Sequence, residues 1–268
     1  MLLLIDAGNT RVKWALMPTA RLSQPDSLGR WDASGSVEHA QVGQLVDTWR
    51  NAHVSRVILS NVAGADMRAE LECALLSVLG LKPVPLEWFT SVPRLAGLRN
   101  GYRNPAQLGC DRFASAIGAR ALHSDEPLIV ATCGTATTVD AVSADGVFIG
   151  GMILPGLGLM ASSLARNTAQ LPEVAASLPV STPFADHTDA AIVSGCIAAQ
   201  AGAIERAVAA HSHSGAAVRC ILSGGAADLI APHLSFPVTR VDNLVLIGLQ
   251  TVAASSLSVL PANPASSC

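Results

Sequence analysis

Two stretches of the chain share one pattern of apolar and polar positions, and both predict a β-hairpin. Residues 1–17 consist of an apolar run, a Gly-Asn-Thr turn and a return segment in which every second residue is apolar. Residues 127–143 repeat this order around Gly134, with a β-branched return segment. An apolar run, a glycine turn and a second strand therefore occur twice.

The two hairpins align without a gap when Gly8 is placed on Gly134. This alignment puts Asp6 on Thr132, Asn9 on Thr135 and Val12 on Thr138. A unit that recurs once in each half of a chain indicates duplication. We therefore expect two copies of one structural unit.

Strands and helices alternate along the rest of the chain. Further strands are predicted at 54–62, 84–89 and 217–224. Helices are predicted at 66–79, 105–122, 188–211 and 244–257. This alternation is typical of a layered α/β fold, and we place the boundary near residue 120, giving domains 1–120 and 121–268.

Composition narrows the class of protein. Half of the residues are hydrophobic and 14% are charged, which predicts a packed globular chain. The net charge is −3 and the basic residues are dispersed, so no nucleic-acid partner is expected.

The apolar start is too short for a signal peptide, and the apolar stretch 189–205 is too short for a membrane span. We expect a cytoplasmic protein with no membrane partner, and six cysteines without a CxxC pair predict reduced thiols.

The first hairpin carries a group of residues that suits a nucleotide phosphate tail. Asp6 ends the first strand, Asn9 and Thr10 form the turn, and Lys13 lies on the return strand. Such a set offers an acceptor for metal-bound water, amide donors and a fixed cation. The alternative is an ordinary solvated hairpin, although lysine occurs only at positions 13 and 82.

Two later glycine turns could add phosphate or nucleoside contacts. The segment CGTATT places Gly134 and Thr135 in the second hairpin, and LSGG places Gly224 and Gly225 where a strand meets a helix. The alternative for Gly224 and Gly225 is a plain strand-to-helix turn.

The P-loop, HExxH and GxSxG motifs are absent from the sequence, and His211 with His213 lacks a third metal ligand nearby.

A third candidate lies in the segment LGCDR. Asp111 could act as a general base for a hydroxyl group, and Arg112 could hold an anionic group. Tyr102, the one tyrosine of the chain, precedes them. The alternative interpretation is a surface ion pair on a helix beside a loop aromatic.

Taken together, these motifs resemble those of the type III pantothenate kinases, the Bvg accessory factor-like family. The resemblance runs nearly from end to end through DAGNTRVK, LGCDR, CGTATTVD, GGMILPGL, DHTDAAIVSG, LSGG and DNLVLIGL. It implies the fold of the acetate and sugar kinase, Hsc70 and actin superfamily. That fold has two duplicated ribonuclease H-like (actin-like ATPase) domains, each a mixed sheet flanked by helices, with the active site in the cleft between them.

The resemblance also implies roles for individual residues. Asp111 is the catalytic base, and Asp6 holds magnesium through water. The residues that bind ATP and its phosphates are Asp6, Gly8, Asn9, Thr10, Lys13, Gly134, Thr135, Gly224 and Gly225. The residues that bind pantothenate are Tyr102, Gly109, Cys110, Arg112 and Thr188. The implied reaction is transfer of phosphate from ATP to pantothenate by a homodimer.

One position departs from the family pattern. The family carries an aspartate that helps to bind a monovalent cation, K⁺ or NH₄⁺, where this chain has Thr132. A hydroxyl cannot replace the charge of a carboxylate, so weak dependence on such a cation is expected.

Two other functions stay open at this point: a regulatory nucleotide-binding accessory protein of the same superfamily, and a sugar kinase on the same fold.

Overall fold

The computed structural model describes residues 1–80, 84–177, 179, 182–212 and 217–257. Within them the chain divides into two compact units. The first unit comprises Met1–Leu98, Asn104–Leu122 and residues 245–257, and the second comprises Arg99–Arg103 and His123–Leu244. Residues 99–103 thus belong to the second unit, and residues 245–257 of the C-terminal helix belong to the first.

The first unit is built on a mixed sheet. Its five strands are β1 (Leu2–Ala7), β2 (Arg11–Met17), β3 (Ala33–Glu38), β4 (Arg56–Asn61) and β5 (Leu86–Trp88). They lie in the order β3-β2-β1-β4-β5. The pairs β1–β2 and β2–β3 are antiparallel, whereas β1–β4 and β4–β5 are parallel. Strand β1 is buried along its whole length because its apolar run occupies the centre of the sheet.

Helices flank the sheet of the first unit. They are α1 (Leu45–Arg50), α2 (Ala65–Leu79), α3 (Cys110–Leu122) and, further along the chain, α7 (Leu244–Leu257). The core brings together Leu3, Ile5, Trp14, Trp49, Leu59 and Leu71. Two short strands, β6 (Arg94–Leu95) and β7 (Leu98–Asn100), follow β5 in the chain.

The second unit repeats this arrangement. Its strands are β8 (Leu128–Cys133), β9 (Ala136–Val142), β10 (Val147–Pro155), β11 (Arg219–Ser223) and β12 (Thr239–Arg240). The order β10-β9-β8-β11-β12 has the same parallel and antiparallel pairings as β3-β2-β1-β4-β5, and β7 extends it beyond β10. The predicted duplication is therefore confirmed: both units are mixed sheets flanked by helices.

The α-helices that the structure describes in the second unit are α4 (Leu157–Asn167), α5 (Thr188–His211) and α6 (Ala227–Ile230). Helix α5 has the bounds expected from the sequence. It is long and apolar enough to cross a membrane by length and composition, but 44% of its most apolar window is buried inside the structure. Its residues Ile192, Val193, Ile197 and Ile204 pack in the core of the unit. The helix is therefore part of the core of the second unit.

Helix α7 contacts two parts of the first unit, helix α3 and the loop before β3. A Cβ atom on Gly248 would lie 2.6 Å from the carbonyl carbon of Ala114, so α7 and α3 touch backbone to backbone. The Gln250 amide oxygen accepts hydrogen bonds from the backbone N–H of Gly29 and the indole N–H of Trp31, both at 3.0 Å. These contacts explain why the last helix belongs to the first unit.

Candidate active site

The first hairpin places a carboxylate opposite an ammonium group. Asp6 pairs with Lys13 across the antiparallel strands β1 and β2, so both side chains lie on one face of the sheet. The turn between them is closed by a 3.1 Å hydrogen bond from the Gly8 N–H to the Arg11 carbonyl. Asn9 and Thr10 are exposed at its tip. The predicted phosphate-binding residues of this hairpin are therefore close together in the structure.

Asp6 is an unusual carboxylate because little solvent reaches it. The residue is only 9% exposed, and its Oδ1 atom has no hydrogen-bond partner among the described residues. The pKa of Asp6 is raised from 3.8 to about 7, first by burial and second by the charge of Asp111, while Lys13 opposes the shift. Asp6 Oδ1, without a hydrogen-bond partner among the described residues and close to a second carboxylate, is a place where a Mg²⁺ ion would add positive charge to that of Lys13.

Helix α3 begins beside the carboxyl end of the central strands. Its first residue, Cys110, places Sγ 3.4 Å from Ser60 Oγ and 3.5 Å from the Asn61 carbonyl oxygen on β4. Ser60 is paired with Asp6 in the parallel β1–β4 ladder. In α/β sheets the carboxyl ends of parallel strands are the usual place for ligands. Asp111, the next residue of α3, therefore lies near Asp6.

The Asp111 carboxylate is held by local geometry. Its Oδ1 accepts a 2.8 Å hydrogen bond from the Arg112 N–H, and a Cβ atom at Gly109 would lie 2.8 Å from the same oxygen. Glycine at position 109 thus leaves room for the carboxylate. Burial raises the pKa of Asp111, while that N–H and the Arg112 guanidinium oppose the shift. Arg112 itself is only 6% exposed, so the interpretation of these two residues as a surface ion pair is wrong.

The second hairpin has a shorter turn than the gapless alignment implies. Ala7 pairs with Val12 in the first hairpin, whereas Cys133 pairs with Thr137 in the second. Val12 therefore corresponds to Thr137, and the placement of Val12 on Thr138 is wrong by one residue. A gapless alignment assumes that both turns have the same length, so the sequence alone did not show this difference.

This corrected register identifies the partner of Thr132. Thr132 pairs with Thr138 in the β8–β9 ladder, in the place that Asp6 and Lys13 occupy in the first hairpin. Thr132 also pairs with Ser223 on the other side. The second hairpin thus has hydroxyl side chains where the first has a charged pair.

Two glycines pack against the turn of the second hairpin. A Cβ atom on Gly224 would lie 2.7 Å from the carbonyl carbon of Cys133, and one on Gly156 would lie 2.6 Å from the carbonyl oxygen of Thr135. The Gly156 N–H donates a 2.9 Å hydrogen bond to that same oxygen. Backbone atoms approach so closely that no side chain fits at either position. Sequence reasoning gave no role to Gly156, although the PG dipeptide at 155–156 is a visible turn signal.

The remaining predicted residues have different surroundings. Gly225 is exposed, with open space where a Cβ atom would be. Tyr102 packs edge-on against Phe148 at 5.7 Å between ring centroids, and both belong to the second unit. Thr188 is the exposed first residue of α5 and lines a cavity of about 640 Å³ in that unit with Pro155 and other residues. Their roles toward ATP or pantothenate stay predictions.

His211 contacts the main chain of the second unit. His211, the last residue of helix α5, places Nε2 3.0 Å from the Val142 carbonyl oxygen. His213 lies outside the described residues. Among the described residues, no group of three or more His, Cys, Asp or Glu side chains could hold a metal ion.

Solved structures with related folds are distant in sequence. The chain superimposes on a Baf family protein from Campylobacter jejuni with a TM-score of 0.54 at 17% identity, covering 96% of this chain and 100% of that one. A Sinorhizobium meliloti protein described as a 2-dehydro-3-deoxygalactonokinase gives a TM-score of 0.57 at 14% identity, covering 98% and 100%. At such identities the likeness supports the fold.

Closer relatives identify the family. The chain is 65% identical over 255 residues to the type III pantothenate kinase of Janthinobacterium sp. (strain Marseille), covering 94% of this chain and 97% of that protein. It is 62% identical over 259 residues to the type III pantothenate kinase of Herminiimonas arsenicoxydans, covering 96% and 99%. The family model described as type III pantothenate kinase matches residues 2–210 of the chain. The chain belongs to the type III pantothenate kinase family.

Proposed function

We propose that this protein transfers the terminal phosphoryl group of ATP to pantothenate, giving 4′-phosphopantothenate in the first step of coenzyme A synthesis. The observation that carries the assignment of the site is the pair of carboxylates formed by the buried Asp6 and the partly buried Asp111, which interact electrostatically at the carboxyl end of β1 and β4. Phosphoryl transfer needs a carboxylate for the metal and another for the acceptor hydroxyl. The pair meets both needs.

The nucleotide side of the site is assigned to the first hairpin. Lys13 provides a fixed positive charge, and the turn from Gly8 to Thr10 provides backbone N–H donors for phosphate oxygens. Asp6 would hold Mg²⁺ through water, because its buried Oδ1 has no other partner among the described residues. The metal supplies charge neutralisation at the transferred phosphoryl group. In the second unit, Gly134, Thr135, Gly224 and Gly225 are assigned to ATP.

The acceptor side is assigned to the start of α3. Asp111 accepts the proton of the pantothenate hydroxyl, and the raised pKa of its carboxyl group makes it a stronger base than an exposed aspartate. The buried Arg112 guanidinium offers a charge for the pantothenate carboxylate. The further pantothenate contacts are assigned to Tyr102, Gly109, Cys110 and Thr188.

A homodimer is part of the proposal. Large apolar side chains are exposed on β10 and α4 of the second unit, including Ile149 at 52%, Ile153 at 65% and Leu159 at 49%. Apolar patches of this kind are typical of surfaces that another subunit covers. Sedimentation of the protein and of Ile153→Glu tests this: we expect a dimer for the former and dissociation for the latter.

The assay that tests the activity couples ADP release to a spectrophotometric readout. We expect release with pantothenate, Mg²⁺ and ATP together, and none with a panel of hexoses in place of pantothenate. ADP release that is independent of pantothenate would instead favour the regulatory nucleotide-binding alternative. A cytoplasmic location, also proposed, is tested by fractionation of cells.

A further inference from the structure

A histidine contacts the turn of the first hairpin from outside the motif. His39 Nε2 lies 2.8 Å from the carbonyl oxygen of Gly8. His39 is half-buried and is the first residue of a 3₁₀ helix, His39–Gln44, that follows β3. Since the partner is a carbonyl oxygen, the imidazole must donate the Nε2–H.

The fold holds His39 in place from two sides. Strand β3 pairs with β2, with Glu38 opposite Arg11, so the end of β3 lies beside the turn. The 3₁₀ helix then starts with a capping box in which the Glu38 N–H donates to Gln41 Oε1 at 3.3 Å. Arg11 adds a 2.8 Å hydrogen bond from Nε to Ser36 Oγ. The imidazole therefore starts from a fixed backbone position beside Gly8.

The contact determines the orientation of one peptide group. A trans peptide is planar, and its C=O and N–H point in opposite directions. The His39 hydrogen bond fixes the Gly8 carbonyl, so it also fixes the N–H of Asn9 toward the opposite side. If this peptide turned over, a carbonyl oxygen would replace the N–H there and would repel a phosphate oxygen.

We propose that His39 is a positioning residue for ATP: by donating Nε2–H to the Gly8 carbonyl, it keeps the Asn9 N–H directed toward the phosphates. This inference rests on the proposed function of the hairpin as the phosphate site. His39 does not touch substrate in this account and acts through the backbone of the turn. Its effect should therefore appear in ATP affinity and be absent from pantothenate affinity.

The test compares three substitutions at one position. His39→Leu and His39→Ala remove the donor, and we expect KM for ATP to rise about tenfold, the effect of losing one well-ordered hydrogen bond of about 1.4 kcal/mol. His39→Gln keeps an N–H donor at similar reach and should return KM for ATP to within about threefold of the natural protein. KM for pantothenate at saturating ATP should stay unchanged in all three.

Gln41→Ala is the matched control. It removes the capping contact of the same 3₁₀ helix but leaves the imidazole and its Gly8 partner. If stability of this helix alone mattered, Gln41→Ala and His39→Leu would lower the melting temperature and raise both KM values alike, and the proposal would be wrong. An unchanged KM for ATP in His39→Leu, or equal defects in the Leu and Gln variants, would also overturn it.

Calorimetric titration with Mg²⁺-ATP separates this inference from the proposed function. It needs no acceptor, so it measures the effect of His39 even if pantothenate proves not to be the substrate. Loss of ATP binding in Asp6→Ala with normal binding in His39→Leu would reject the inference alone. If His39→Ala does not fold, the comparison of ATP binding by His39→Leu and His39→Gln still tests the proposal.

Discussion

Replacing Asp6 by asparagine should stabilise the protein while abolishing its activity. In the folded chain the pKa of this carboxyl group is raised from 3.8 to about 7, chiefly by burial. The folded state therefore holds a proton that the unfolded state releases between these two pH values. Stability falls as pH rises from about 4 to about 7 and levels off above that, because both states are then ionised.

The magnitude follows from the size of the pKa shift. A change from 3.8 to about 7 is about three pKa units, which corresponds to about 4 kcal/mol at pH 8. Asparagine is not ionised, so Asp6→Asn avoids this penalty but loses the attraction between Asp6 and Lys13. At about 2–4 °C per kcal/mol, the upper limit for the gain in melting temperature is about 8–16 °C.

Thermal melts without nucleotide at pH 5, 6, 7 and 8 test this reasoning. The difference between Asp6→Asn and the natural protein should grow by up to about 1.4 kcal/mol per pH unit and level off above pH 7. Asp66→Asn, at an exposed position in the first turn of α2, is the control and should show no such trend. An Asp6→Asn protein that is no more stable at pH 8, or equally stabilised at every pH, would refute the argument. Added Mg²⁺-ATP should raise the melting temperature of the natural protein only.

Three further predictions concern other parts of the chain. Asp111→Asn should lower kcat by about 10²–10⁴-fold with nearly unchanged ATP binding, since only basicity is lost, and near-normal turnover would contradict its role as base. With sodium keeping ionic strength constant, rate should depend weakly on potassium in the natural protein and more strongly in Thr132→Asp; saturable activation of the natural protein would contradict this. Gly248→Ala should destabilise the chain by about 1–3 kcal/mol or more by pushing α7 from Ala114, whereas Gly202→Ala, with open space at its Cβ position, should be neutral or stabilising in the same denaturation assay.

The local parts of the fold were predictable from the sequence. Helix α5 and both hairpins follow directly from apolar periodicity and turn residues, because each pattern lies within one short segment. Strand β3 was not predicted, since ASGSVE lies at a sheet edge, is mostly exposed and has Val37 as its one large apolar residue. Helix α1, with six residues, is too short for periodicity to reveal.

The sequence predicted which residues form the site, but it did not predict their burial, their pKa values or their contacts with other segments. The motif gave Asp6 and Asp111, yet the raised pKa of Asp6 depends on burial and on a carboxylate brought close by α3. The contact between Gly156 and Thr135 depends on where β10 ends, and the contact between His39 and Gly8 on how β3 pairs with β2. Such features come from tertiary packing, which no single segment encodes.

The attachment of helix α7 to the first unit has a consequence for biosynthesis. A ribosome releases the chain from the N-terminus, so the sheet of this unit and helix α3 emerge long before the helix that covers them. Until residues 244–257 have been made, the Ala114 backbone and the indole N–H of Trp31 lack their partners on α7. The nascent first unit therefore lacks these contacts for most of translation, and α7 can dock on it only after residues 123–244 have been made.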